Sequence, residues 1–87
     1  MVEKNVTIVN QDGLHASPAT LFVQKAVGFK SYVWLAKDAR EVNAKSLLGV
    51  LSLGIAKGQN ITIKADGPDE AEAIEALEAL IQSGFRE

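Results

Sequence analysis

Three short runs of this chain alternate apolar and polar residues, and the stretches between them repeat their apolar residues at every third or fourth position. In the first run, from Val2 to Val9, Val2, Val6 and Ile8 share one face while Glu3, Asn5 and Thr7 share the other. The same period returns in Ser31-Tyr32-Val33-Trp34-Leu35-Ala36 and in Asn60-Ile61-Thr62-Ile63-Lys64-Ala65. Successive side chains of a strand face opposite sides, so each run buries one face, provided something apolar covers it. Two helical stretches can supply that cover. Pro18 to Val27 carries Ala19, Phe22, Val23 and Ala26 on one face and is ended by Gly28. A last helix follows Asp66-Gly67-Pro68-Asp69, with Ala71, Ile74, Leu77, Leu80 and Ile81 as its buried stripe. Its Glu70, Glu72, Glu75 and Glu78 face water, and Gly84 is the expected stop.

The remaining segments complete the pattern. Lys37-Asp38-Ala39-Arg40 reads as a polar turn and Glu41-Val42-Asn43 as a short return strand, together making a hairpin. Ser46 to Leu53 reads as a short helix capped by Ser46, with Leu47, Leu48, Val50, Leu51 and Leu53 around most of its circumference. A helix apolar on so many sides cannot hide them all. Val50 and Leu53 are expected inside, and Leu47, Leu48 and Leu51 at least partly open. Lys57-Gly58-Gln59 turns the chain into the third alternating run. The order is therefore β-α-β-β-α-β-α, four strands and three helices, and the economical packing is a two-layer α+β sandwich with helices on one sheet face. Val6, Ile8, Val33, Leu35, Ile61 and Ile63 would meet the helices. Thr7, Tyr32, Trp34 and Thr62 fall on the solvated face, where Trp34 reads as a surface-packed aromatic.

With 87 residues the chain is read as a single domain over 1–87. Cysteine is absent, which removes disulfides, thiolate metal sites and cysteine nucleophiles. A net charge of −2 offers no basic footprint for nucleic acid. No signal-like or membrane-spanning apolar segment is apparent, so a cytoplasmic location without membrane insertion is expected. No metal cluster, glycine-rich nucleotide loop or serine–histidine–aspartate arrangement stands out, so neither metal nor cofactor is expected.

The one histidine, His15, lies in Gly13-Leu14-His15-Ala16-Ser17-Pro18-Ala19-Thr20. Gly13 permits a tight, left-handed backbone, and Ser17-Pro18 reads as an N-cap followed by proline at the first helical position. His15 then stands just outside a helix N-terminus, where free amides and the positive end of the helix dipole favour a bound anion. Neutral imidazole is a nucleophile near neutral pH, so phosphoryl chemistry suits that position.

With Gly13-Leu14-His15-Ala16-x-Pro18-Ala19 near its start and Asn43-Ala44-Lys45-Ser46-Leu47-Leu48-Gly49-Val50 at mid-chain, the sequence resembles the HPr family, the histidine-containing phosphocarriers of the phosphoenolpyruvate:sugar phosphotransferase system. The similarity spans the whole chain and includes the element order and Asp66-Gly67 before the final helix. It implies an open-faced sandwich with an antiparallel four-stranded sheet and three helices on one side. It further implies that His15 accepts a phosphoryl group from enzyme I through Nδ1 and passes it to IIA domains, making the protein a carrier and not an enzyme. Ala16, Ser17 and Pro18 would shape the phosphate site, and Thr20, Gln24, Lys25, Lys45, Leu47, Leu48 and Leu51 the docking surface.

Residue 17 departs from the family pattern. Most members carry arginine there, able to pair bidentately with the phosphoryl group, whereas this chain has Ser17. Replacing a charge-assisted contact of ~1.5–3 kcal/mol with a neutral one of ~0.5–1.5 kcal/mol would slow transfer roughly tenfold or more. Ser46 has two readings. As a helix N-cap it contributes about 1 kcal/mol. By resemblance it is the regulatory phosphosite of HPr kinase/phosphorylase, whose product binds the catabolite control protein CcpA. An alternative function follows: a Crh-like regulatory module acting through phospho-Ser46, with weak or no transfer at His15. A ferredoxin-like RNA-binding domain is disfavoured by the absence of a basic surface and paired stacking aromatics.

Overall fold

The computed structural model describes residues 1–85. The strands are β1 (Val2–Thr7), β2 (Tyr32–Lys37), β3 (Arg40–Asn43) and β4 (Asn60–Asp66), and the helices are α1 (Ser17–Val27), α2 (Leu47–Ser52) and α3 (Glu70–Gln82). Their order is the β-α-β-β-α-β-α expected from the sequence pattern. All three strand pairings are antiparallel, and the sheet order is β1-β4-β2-β3. The last strand in sequence thus lies inside the sheet, which no local pattern specifies.

Register explains the core. Val6 faces Ile61 and Leu35 faces Ile63, so the apolar sides of β1, β4 and β2 merge into one surface. Val6, Ile8, Val33, Leu35, Ile61 and Ile63 are all buried, together with Ala19, Phe22 and Ala26 of α1 and Ile74, Leu77, Leu80 and Ile81 of α3. The other sheet face is open. There Tyr32 and Trp34 stack with centroids 6.1 Å apart, and Lys64 pairs with Glu41 at 2.8 Å.

Several expectations shift in detail. β1 stops at Thr7, and Val9 is exposed. Ala71 is exposed too, and Ala73 takes its place on the buried side of α3, because Ile74, Leu77, Leu80 and Ile81 centre the stripe on a face that lies about 120° around the helix from Ala71. Glu70 and Glu78 are only half exposed. Both answer cations of the neighbouring edge strand, Glu70 the terminal amine at 3.4 Å and Glu78 the Lys4 ammonium at 3.0 Å. Gly84 does stop α3, with φ of 72° and the amides of Gly84 and Phe85 returning to the carbonyls of Ile81 and Leu80. That paired return buries Phe85 against the core.

Asp69 precedes α3 without capping it. Its carboxylate instead accepts from the Lys30 and Ser31 amides at 2.8 and 2.9 Å and from the Ser31 hydroxyl, tying the start of α3 to the start of β2. These donors, the Ser31 hydroxyl first, hold the Asp69 carboxyl down at about 2. Gly67 sits against the same bridge, where a Cβ would meet the Ser31 Oγ at 2.6 Å.

Candidate functional site

Two interlocked loops present His15. Asn10 and Gly13 close a turn, with the Gly13 amide on the Asn10 carbonyl at 3.2 Å and the Asn10 side-chain amide on the Gly13 carbonyl at 2.8 Å. Gly13 has φ of 60°, and a Cβ there would lie 2.3 Å from the Ile55 carbonyl oxygen. Only glycine lets the loop approach residues 54–59 so closely. Leu14 then turns inward, fully buried, and donates its amide to the Ile55 carbonyl at 3.1 Å. With Leu14 anchored, His15 faces solvent.

The helix that follows begins one residue earlier than expected. Ser17 is not the N-cap: Ala16 occupies that position and Ser17 is the first helical residue, with Pro18 behind it. Ala16 has φ of 53° and ψ of −132°, a combination close to a region that glycine alone adopts readily. Such backbone strain costs about 1–3 kcal/mol. No side chain caps α1 and no acidic residue occupies its first turn. Its leading amides therefore lack an internal anionic partner and lie next to His15, an arrangement suited to the oxygens of a phosphoryl group.

The second proposed phosphosite is built differently. Ser46 is the N-cap of α2 as expected, in extended conformation, and its hydroxyl accepts the Gly49 amide at 3.1 Å. The carbonyls at the other end of this six-residue helix are held from the β2–β3 hairpin. Lys37 reaches those of Leu53 and Gly54 at 3.2 Å, and Arg40 reaches that of Ser52 at 2.8 Å. Val50 and Leu53 are buried, while Leu47, Leu48 and Leu51 are 41%, 80% and 37% exposed, so the helix splits as the sequence suggested.

Helices α1 and α2 pack against each other, bringing the expected docking residues of both into one region. Thr20 and Gln24 are exposed and Lys25 half-buried. Lys45 stands apart from the histidine. Its ammonium donates to the Phe29 carbonyl at 2.7 Å, beyond the C-terminal end of α1 and a helix length away from His15. That favours the negative end of the helix dipole and removes Lys45 as a substitute for a cation at residue 17. Asp69, committed to Ser31, does not serve His15 either. Sequence reasoning gave no role to Ile55 or Leu14. The glycines Gly54 and Gly58, both at positive φ, are the signal that residues 54–59 form a shaped loop.

Comparison with known proteins identifies the family and matches the fold. A family model described as the PTS HPr component phosphorylation site matches residues 2–83. The chain is 50% identical over 82 residues to the HPr-like protein Crh of Halalkalibacterium halodurans, covering 94% of this chain and 98% of that protein. It is 45% identical over 87 residues to the phosphocarrier protein HPr of Neisseria meningitidis, covering 100% and 98%. Among solved structures, HPr-C-His from Thermoanaerobacter tengcongensis superposes with a TM-score of 0.98 at 50% identity, covering 100% of this chain and 98% of that one. Among the described residues, no helix is long and apolar enough to cross a membrane.

Proposed function

The chain belongs to the PTS HPr family, and on that premise we propose that it is a phosphocarrier whose His15 accepts a phosphoryl group from enzyme I and delivers it to IIA domains in the cytoplasm. The observation that carries this reading is the exposed His15 beside an uncapped helix start. A ring nitrogen attacks phosphorus, the donor's P–N bond breaks as the new one forms, and the leading amides of α1 receive the phosphoryl oxygens. The reverse exchange with the next acceptor follows the same path. Because the amides are fixed before the group arrives, they need no rearrangement during transfer. The leucines Leu47, Leu48 and Leu51 form the apolar part of the docking surface, and Thr20, Gln24 and Lys25 its polar margin.

Ser17 favours a second reading, a Crh-like module in which HPr kinase/phosphorylase modifies Ser46 and the product docks on the catabolite control protein. Phosphate on the α2 cap would remain beside helix amides, so modification changes docking without unfolding the helix. Intact-mass analysis after incubation with phosphoenolpyruvate and enzyme I separates the two. The carrier reading expects an acid-labile phosphoryl adduct, lost in His15→Ala and formed roughly tenfold faster in Ser17→Arg. An unmodified chain that takes only an acid-stable phosphate on Ser46 from the kinase would overturn it in favour of the second.

A further inference from the structure

Resting on that carrier reading, we propose that Lys57 supplies the positive charge facing the phosphoryl group on His15, the part that Ser17 does not play. The placement of the other cations among the described residues motivates the assignment. Lys4 is paired with Glu78 and Lys64 with Glu41, while Lys37 and Arg40 hold the end of α2 and Lys45 holds Phe29. Lys30 follows the C-terminal end of α1, the end away from His15. Lys25 lies further along α1 and is itself engaged. Lys57 is exposed and, among the described residues, its ammonium has no hydrogen bond or ion pair.

Its loop is also the one stitched to the histidine loop. The Leu14 amide bonds Ile55, the Ile8 amide bonds the Gln59 carbonyl at 3.0 Å, and the Gly58 amide bonds the Ile8 carbonyl at 2.7 Å. Between these ties, Ala56 and Gln59 close a turn: the Ala56 amide donates to the Gln59 side chain at 2.9 Å, and the Gln59 amide to the Ala56 carbonyl at 3.2 Å. Lys57 sits at the tip of that turn, next to Ala56, whose Cα lies where a Cβ on Gly13 would come within 2.8 Å. The two loops therefore move as one body, and a lysine on a flexible four-carbon stem adds three donors to the rim of the site. Asp12 is the carboxylate of the histidine loop, and among the described residues no ion pair joins it to Lys57. A phosphoryl group carries up to about two negative charges, so its arrival draws the uncommitted ammonium toward His15.

Rapid-quench measurement of phosphoryl arrival from phosphorylated enzyme I tests the assignment in the parent chain, Lys57→Met, Lys57→Arg, Ser17→Arg and the double variant Ser17→Arg/Lys57→Met. Lys57→Met is expected to lower the transfer rate roughly fivefold to tenfold, with most of it restored by Lys57→Arg and with melting temperatures unchanged. In the Ser17→Arg background the loss should shrink below about twofold, since the guanidinium takes over the same oxygens. Transfer at the parent rate by Lys57→Met, or an equal loss in both backgrounds, overturns the proposal and reduces Lys57 to a docking residue or a bystander. If the parent chain forms no adduct on His15 at all, the carrier reading itself fails and takes this assignment with it.

Discussion

The starts of α1 and α2 carry the two proposed phosphosites, and they are built in opposite ways. At α2 the cap is Ser46, in relaxed extended backbone, with its own hydroxyl on the Gly49 amide. At α1 the corresponding position is Ala16, with a positive φ and no capping side chain. One helix start is closed by its own sequence and the other is held open. An N-cap oxygen and a phosphoryl oxygen compete for the same amides, so a helix that must receive a phosphoryl group gains by leaving them unclaimed. The Ser46 hydroxyl, in contrast, is both the cap and the proposed acceptor. Phosphate there adds charge where an oxygen already sits.

The contrast can be broken most severely through Gly13, which sets the open site in place. Gly13→Ala would force a Cβ against Ile55 at a positive φ, and a loss of about 2–4 kcal/mol is expected by urea denaturation. Asp69→Ala comes next, since it strips the acceptor from three donors that tie α3 to β2. Its pH signature is distinct. The folded carboxyl is lowered from 3.8 to about 2, so its contribution is complete above about pH 4 and disappears as pH falls through about 2. The Ala variant should lose that part of the acid transition, seen by circular dichroism.

Ser46→Ala removes a genuine cap and is expected to cost about 1 kcal/mol. Ala16→Gly should act in the opposite direction, gaining about 0.5–1 kcal/mol as backbone strain is relieved against the added chain entropy. Equal losses from both substitutions would erase the distinction between a closed and an open helix start. Smallest in stability terms is Leu47→Asp on the exposed face of α2, expected within about 0.5 kcal/mol of the parent. Weaker enzyme I binding by calorimetry, at unchanged melting temperature, would identify Leu47 as a docking residue. A collapse in melting temperature would instead return it to the core.

Much of this architecture was legible because local periodicity and burial coincide. Val33 and Leu35 alternate and are inside, Val50 and Leu53 are inside while Leu48 is out, and Ser46 caps where a serine before a leucine run should. Reading failed where a residue's role depends on distant chain. Ser17-Pro18 looks like a cap and a first turn, but the anchoring of Leu14 by Ile55 sets the entry angle and shifts the cap to Ala16. Lys45 looks available beside Ser46 and is instead spent on Phe29. Asp69 reads only as part of the segment that opens the last helix, and in the fold it is a bridge to Ser31.

By itself the sequence determined the elements, their order and, with few exceptions, the face each one buries. Those properties depend on spacing along one segment, which the chain carries in full. Tertiary structure alone decided that β4 runs inside the sheet, that residues 54–59 seat the histidine loop, and which cations among the described residues remain uncommitted. Each of these depends on which distant backbone groups meet. A long-range hydrogen bond or ion pair joins residues whose types permit many partners, and only the folded packing selects among them.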